Sequence, residues 1–157
     1  MLLKLCWIGK TKAAAIQTLT DGYVKSIRRY LPADCHELRS EAALLELLAR
    51  NKGRSLPSLV LLDTRGRQMS SEELAEFLRR QQERGAPSLI FAVGPADGWS
   101  EELREKVLGG SAPVSTSQTL SLGKMTLAHE VARVVLLEQL YRGFTILAGH
   151  PYYLGHL

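Results

Sequence analysis

Thr119-Leu-Ser-Leu-Gly-Lys-Met-Thr-Leu-Ala-His129 runs straight into a long apolar stretch that closes on Gly149-His-Pro-Tyr-Tyr153. A Ser/Gly/Thr-rich loop that feeds a helix in this way offers backbone N–H groups to a ligand. The helix start adds a partial positive charge for anything anionic nearby. The helix itself, roughly Ala128 to Leu147, is apolar on nearly every side through Val131, Val134, Val135, Leu136, Leu137, Leu140 and Tyr141. That is more apolar surface than a monomer keeps exposed. The pattern predicts a ligand loop built beside a dimer interface.

Working outward, strands alternate with helices along the whole chain. Leu2–Ile8 reads as a buried strand stopped by Gly9-Lys10. A helix follows from Lys12 to Leu31, with Ala15, Ile16, Leu19, Tyr23, Ile27 and Tyr30 at helical spacing and Pro32 at its end. Cys35–Leu38 reads as a short strand, and Ser40 opens a helix to Arg50 closed by Asn51-Lys-Gly53. Ser58–Leu62 is a strand leading into a loop at Asp63-Thr-Arg-Gly66. Ser70-Ser-Glu-Glu73 is a capping box for a helix reaching about Glu83. Ser88–Val93 is the next buried strand, with Gly94-Pro-Ala-Asp-Gly98 as its loop. Ser100-Glu-Glu opens a helix ended by Gly109-Gly110, and a strand near Val114–Thr119 leads to the Ser121–Leu127 loop. Such alternation predicts an α/β fold, a mostly parallel sheet with helices on both faces. Ligands then bind beyond the carboxyl ends of the strands, which nominates the loops after Leu62, at Gly94 and over Ser121–Leu127.

The 157 residues are enough for a single domain with its own core, and 45% apolar with 23% charged residues is ordinary globular composition. Cys6 and Cys35 lie far apart in apolar or strand-like surroundings, which reads as two reduced, buried thiols. No signal peptide and no apolar run of about 18 residues is present, so the expected location is cytoplasmic, with no membrane partner. No metal-ligand spacing, P-loop or Cys/His nucleophile pattern occurs. The net charge of +4 leans mildly towards a polyanionic partner.

Leu120-Ser-Leu-Gly-Lys-Met-Thr-Leu-Ala-His129, Arg133-Val-Val-Leu-Leu-Glu-Gln-Leu-Tyr-Arg142 and His150-Pro-Tyr152 resemble the C-terminal signature of the large-subunit ribosomal RNA pseudouridine N3-methyltransferases. These are minimal members of the SPOUT class of trefoil-knotted, S-adenosyl-L-methionine-dependent enzymes. The likeness covers most of the chain and extends, more weakly, to Leu62-Asp-Thr-Arg-Gly66 and Val93-Gly-Pro-Ala-Asp-Gly98. It implies a C-terminal trefoil knot, which periodicity alone does not show. It also implies a homodimer and a methyl transfer to N3 of a pseudouridine in 23S ribosomal RNA on the assembled ribosome. One protomer would hold the cofactor in its knot while the other supplies its tail.

The resemblance implies cofactor contacts at Leu62, Gly94, Leu122, Gly123, Lys124, Met125, Thr126 and Leu127. An adenine needs an apolar slot, which Leu62, Leu122, Met125 and Leu127 can form, and Gly94 allows close backbone approach. The other reading of these residues is turn glycines and core leucines of any α/β protein. His129, Glu138, Arg142 and Tyr152 are the candidate catalytic residues. His129 or a C-terminal His or Tyr would accept the N3 proton, and Arg142 would stabilise charge on the ring. Glu138 and Arg142 are also spaced as an ordinary helical ion pair, and the aromatic tail either stacks on a base or packs on its own domain. Lys25, Arg28 and Arg29 read as a solvated face or as an RNA track.

The chain departs from the family in four places. Pro95 stands where relatives carry a second glycine, removing an N–H, and Ala128 stands where they carry proline. Tyr153 replaces the tail's His, for which the shifted His156 is a candidate substitute, and the terminal basic residue is absent. These departures keep open a non-catalytic ribosome- or RNA-binding relative with a degraded cofactor site. A generic nucleotide-binding α/β domain is a third reading.

Overall fold

The computed structural model describes residues 1–50 and 55–154. The helix stop expected at Asn51-Lys-Gly53 and the imidazole of His156 lie outside the described residues. Five strands, β1 (Leu2–Ile8), β2 (Ala33–Leu38), β3 (Ser58–Gln68), β4 (Ser88–Val93) and β5 (Thr116–Ser121), form one sheet in the order β2-β1-β4-β3-β5. Every pairing is parallel. The helices are α1 (Ala14–Ile27), α2 (Glu41–Ala49), α3 (Ser71–Glu83), α4 (Glu101–Leu108) and α5 (His129–Ala148), followed by a 3-10 turn at Pro151–Leu154.

Alternation along each strand sorts the core into two layers. Leu3, Leu5 and Trp7, with Leu89, Phe91 and Val93, pack against α1, α3 and α5. Cys6, Ile8, Ile90 and Ala92 face α2 and α4 on the other side. A strand covered on both faces loses its polar positions, and β4 is accordingly buried at all six residues, Ser88 to Val93.

Local sequence explains most boundaries. Ser70 accepts from Glu73 N–H while the Glu73 carboxylate accepts from Ser70 N–H, the reciprocal cap its spacing predicts. Ser40 and Ser100 cap α2 and α4 from one side only, accepting from Ala43 and Leu103 N–H. α5 has no side-chain cap at Ala128, whose φ of −56° is one a proline would share, and ends on Gly149 in the left-handed region.

Four expectations change. The segment Asp63–Gly66 is not a free loop: β3 continues to Gln68, with a register break between Leu62 and Arg67 that bulges these residues out of the ladder with β5. Gly66 is what allows it, since a Cβ there would lie 2.7 Å from Leu120 N. The fifth strand begins at Thr116 rather than Val114. α1 is shorter than Lys12–Leu31, and Ala15 and Leu19 are exposed while Thr20, Val24 and Ile27 turn inward. Cys35 is exposed, because β2 is an edge strand that α1 only partly covers, whereas Cys6 is buried as expected.

Candidate active site

The carboxyl ends of β3, β4 and β5 and the start of α5 enclose a cleft of about 430 Å³. Its walls are the three segments the sequence nominates: Leu62–Arg65, Val93–Trp99 and Leu120–Leu127, closed by His129 and Ala132. Of the expected cofactor residues, Leu62, Gly94, Leu122, Gly123, Met125, Thr126 and Leu127 line it; Lys124 does not. Ser121 ties the loop down by accepting from Gly123 N–H and donating to Gly123 C=O. Among the described residues the N–H groups of Met125, Thr126 and Leu127 make no hydrogen bond, so three donors are left for a ligand. Met125 is 83% exposed, an apolar side chain held open at the mouth.

Two residues shape the floor without having been singled out from sequence. Trp99 is buried, and its indole N–H donates to the Leu62 carbonyl at 2.9 Å. A Cβ on Gly94 would come within 3.0 Å of that indole, so the missing side chain makes room for Trp99 as well as for a ligand. Asp63, almost enclosed, pairs with Arg104 and accepts from Arg65 N–H at 2.8 Å. Arg65 in turn reaches Glu101 at 2.9 Å. This network pins the β3 bulge to α4. Position in sequence carries no signal for either contact, since the partners are 37 to 41 residues apart.

His129, half-buried, is the one candidate catalytic residue that borders the cleft. The next turn of α5 clamps the β1–α1 connection. Glu130 accepts from Lys12 and Ala13 N–H at 2.8 and 3.2 Å, capping α1 from another helix. Those N–H groups hold the Glu130 carboxyl below its usual range. Arg133 is fully buried; it donates to Ile8 and Gly9 carbonyls and to Thr11 Oγ1, and stacks 5.3 Å from the Trp7 ring centre.

Glu138, Arg142 and Tyr152 form a separate cluster. Arg142 donates twice to Glu138 Oε1, at 2.5 and 3.0 Å, and lies 5.0 Å from the centre of the Tyr152 ring. Tyr152 donates to the same Glu138 oxygen at 3.1 Å and packs on Tyr141. Arg142 is held firmly cationic, chiefly by its bonds to Glu138. Burial, with help from Tyr23 and Glu138, pushes the Tyr152 phenol upward, so in this arrangement it is a donor and not a base. The tail is therefore docked on α5 rather than free. Glu138 and Arg142 lie about two and a half and three and a half turns along α5 from His129, roughly 14 and 20 Å at the ordinary helical rise. None of the cluster's residues lines the cleft of the same protomer.

Among the described residues no helix is long and apolar enough to cross a membrane, and no group of three or more His, Cys, Asp or Glu is placed to hold a metal.

A family profile described as "Predicted SPOUT methyltransferase" matches residues 1–153. A "Ribosomal RNA large subunit methyltransferase H" from Koribacter versatilis (strain Ellin345) is 55% identical over 156 residues, covering 99% of this chain and 100% of that protein. Proteins of the same name from Geobacter sp. (strain M21) and Geotalea daltonii are 40% and 42% identical over 161 residues, covering 98% of this chain and 99% of theirs.

Proposed function

The chain belongs to the SPOUT methyltransferase family, and from that premise we propose that it methylates N3 of a pseudouridine in the large-subunit ribosomal RNA of the assembled ribosome. The methyl donor is S-adenosyl-L-methionine, bound in the cleft. The observation that carries the reading is the cleft itself. The β3 bulge and the loops after β4 and β5 meet there beside His129, in a chain whose relatives are named for ribosomal RNA methylation.

The cleft suits that donor. Its volume falls within the range of about 300–1,000 Å³ usual for small-molecule sites. Leu62, Leu122 and Leu127 give an apolar slot, and the N–H groups of Met125, Thr126 and Leu127 give directional contacts. Bound there, the donor supplies a methyl group on a sulfonium that is already electrophilic. The chain's task is alignment and proton removal. His129 takes the N3 proton at the cleft wall, and Arg142, steadied by Glu138 and Tyr152, offsets negative charge on the ring.

Arg142 lies off the cleft of its own protomer, so the working enzyme is a homodimer in which each cleft is completed by the other chain's Glu138–Arg142–Tyr152 cluster. Val131 and Leu147, 42% and 38% exposed on α5, are apolar positions that such an interface would cover. A trefoil knot through the loop Leu122–Leu127 and α5, and a cytoplasmic site of action, complete the proposal.

The test is single-turnover methylation of ribosomes lacking the modification, with the product nucleoside identified by mass spectrometry. Methyl incorporation at pseudouridine N3 is expected. Tight binding of S-adenosylhomocysteine without methylation of ribosome or naked RNA overturns the assigned substrate and leaves the donor site standing.

A further inference from the structure

A second cavity lies away from the cleft, between α1 and the edge strand β2, with a volume of about 400 Å³. In the β1–β2 register Leu5 is opposite Cys35 and Trp7 opposite Glu37, so Cys35 and Glu37 share the α1 face of the sheet with Trp7. A single helix covers this face at the sheet edge, and a groove remains where a second would pack. Its floor is Trp7, Thr20 and Val24, exposed by 2%, 2% and 5%.

Two floor groups are chemically incomplete. Trp7 Nε1 and Thr20 Oγ1 are buried and have no hydrogen-bond partner among the described residues. A buried donor left unpaired is costly, and native proteins rarely keep two in one wall. Neither atom is exposed to solvent, so a ligand engages them only once the Trp7 and Thr20 side chains turn into the groove. Above them the mouth carries Asp21, Glu37 and Arg28. Arg28 Nε is committed to the Ala33 carbonyl at 2.8 Å, leaving its terminal nitrogens for another acceptor. Among the described residues Asp21 accepts only from the exposed Gln17 amide, at 2.8 Å, and Glu37 only a long 3.4 Å contact from Thr11 N–H.

The groove therefore asks for an acceptor at Trp7 N–H and Arg28 and for a cation between Asp21 and Glu37. Water would satisfy the floor but has no use for two carboxylates and a guanidinium around the mouth. We propose that this groove binds a free α-amino acid, its carboxylate at Trp7, Thr20 and Arg28, its ammonium at Asp21 and Glu37, and its side chain against Val24. This site is independent of the methyl-transfer cleft.

The chain's two tryptophans separate the two cavities, since Trp7 lines the groove and Trp99 lines the cleft. The experiment is an indole N–H titration by ¹H–¹⁵N NMR on the full-length protein, assigned with Trp7→Phe. The probes are the proteinogenic amino acids added singly, with glycine betaine as a carboxylate that has no N–H to donate. A saturable shift of the Trp7 signal is expected for at least one amino acid and not for betaine, with Trp99 unmoved. Asp21→Asn and the near-isosteric Thr20→Val should each weaken it about tenfold, the loss of one hydrogen bond to a charged or buried partner. Absence of any saturable Trp7 shift overturns the proposal and leaves a hydrated groove only. A shift unchanged by both substitutions, or one confined to Trp99, overturns it as well.

Discussion

The indole N–H of Trp99 donates to the main-chain carbonyl of Leu62 across 2.9 Å, joining the loop after β4 to the start of the β3 bulge beneath the cleft. That bond fixes the carbonyl at the point where β3 leaves its ladder with β5. Replacing Trp99 by Phe keeps most of the apolar packing and leaves a buried carbonyl unpaired. The expected cost is about 1–3 kcal/mol of unfolding free energy, read by urea denaturation. S-adenosylhomocysteine affinity should fall with it in calorimetric titration, because the floor of the cleft loses its anchor.

Gly94 tests the same contact from the other side. A Cβ there meets Trp99 at 3.0 to 3.1 Å, tighter than ordinary van der Waals packing. Gly94→Ala should displace the indole, an overpacking cost of about 1–3 kcal/mol. Gly94→Leu should abolish S-adenosylhomocysteine binding in the same titration. Retention of full affinity by Gly94→Leu would show that this loop does not border the cofactor.

Asp63 and Arg104 are a second support of the cleft. The Asp63 side chain is 8% exposed and the Arg104 side chain 16%, so neither ion is well hydrated. Arg104→Met removes the nearer cation and leaves the carboxylate to Arg65, whose backbone N–H is at 2.8 Å and guanidinium at 3.6 Å, at a cost of about 1–3 kcal/mol. Asp63→Asn combined with Arg104→Met should recover much of the loss. The measurement is a double-mutant cycle by urea denaturation, and additive effects would show that the pair is not coupled.

Sequence reading succeeds here wherever a local signal decides the structure. The capping box at Ser70 and Glu73, the apolar run Ser88–Val93 and the turn at Gly149 each contain their own cause. The three segments that wall the cleft are legible as positions for the same reason, because parallel strands bring them to one end of the sheet whatever the partner order. What fails is anything set by distant packing. Cys35 reads as buried from its neighbours, but its exposure follows from β2 lying at the sheet edge. Asp63–Gly66 reads as a loop, but β5 recaptures the chain at Arg67. Trp99 and Arg133 carry no periodic signal, although they hold the cleft floor and the β1–α1 connection.

Glu130 predicts a pH dependence. Its carboxylate receives the Ala13 and Lys12 N–H groups, and its folded-state pKa is lowered. A depressed carboxyl contributes stability that is fully present above the unfolded value, about 4.3 for Glu, and is lost as pH falls towards the folded one. Glu130→Gln should therefore destabilise the protein at neutral pH, with the gap between variant and wild type closing below about pH 4. Thermal melts across pH 3 to 7 check this, and a pH-independent gap would mean that packing, not charge, accounts for the effect.

Tyr152→Phe separates the two halves of the proposed active site. The phenol bonds Glu138 at 3.1 Å, and the ring remains in place against Tyr141 and Arg142 without it. Stability should fall by no more than about 1 kcal/mol, one partly exposed hydrogen bond. Because Tyr152 does not line the cleft of its own protomer, affinity for S-adenosylhomocysteine should be unchanged. The single-turnover methylation rate should nevertheless drop by about tenfold or more, since Glu138, which orients Arg142, loses the phenol's hydrogen bond; a tenfold change is about 1.4 kcal/mol of barrier. An unchanged rate would make the tail a structural clasp for α5 and remove it from the catalytic assignment. A rate loss matched by an equal loss of donor affinity would mean that the tail acts on the cleft itself. The expected split, binding intact and rate reduced, is what a site completed by a second protomer requires.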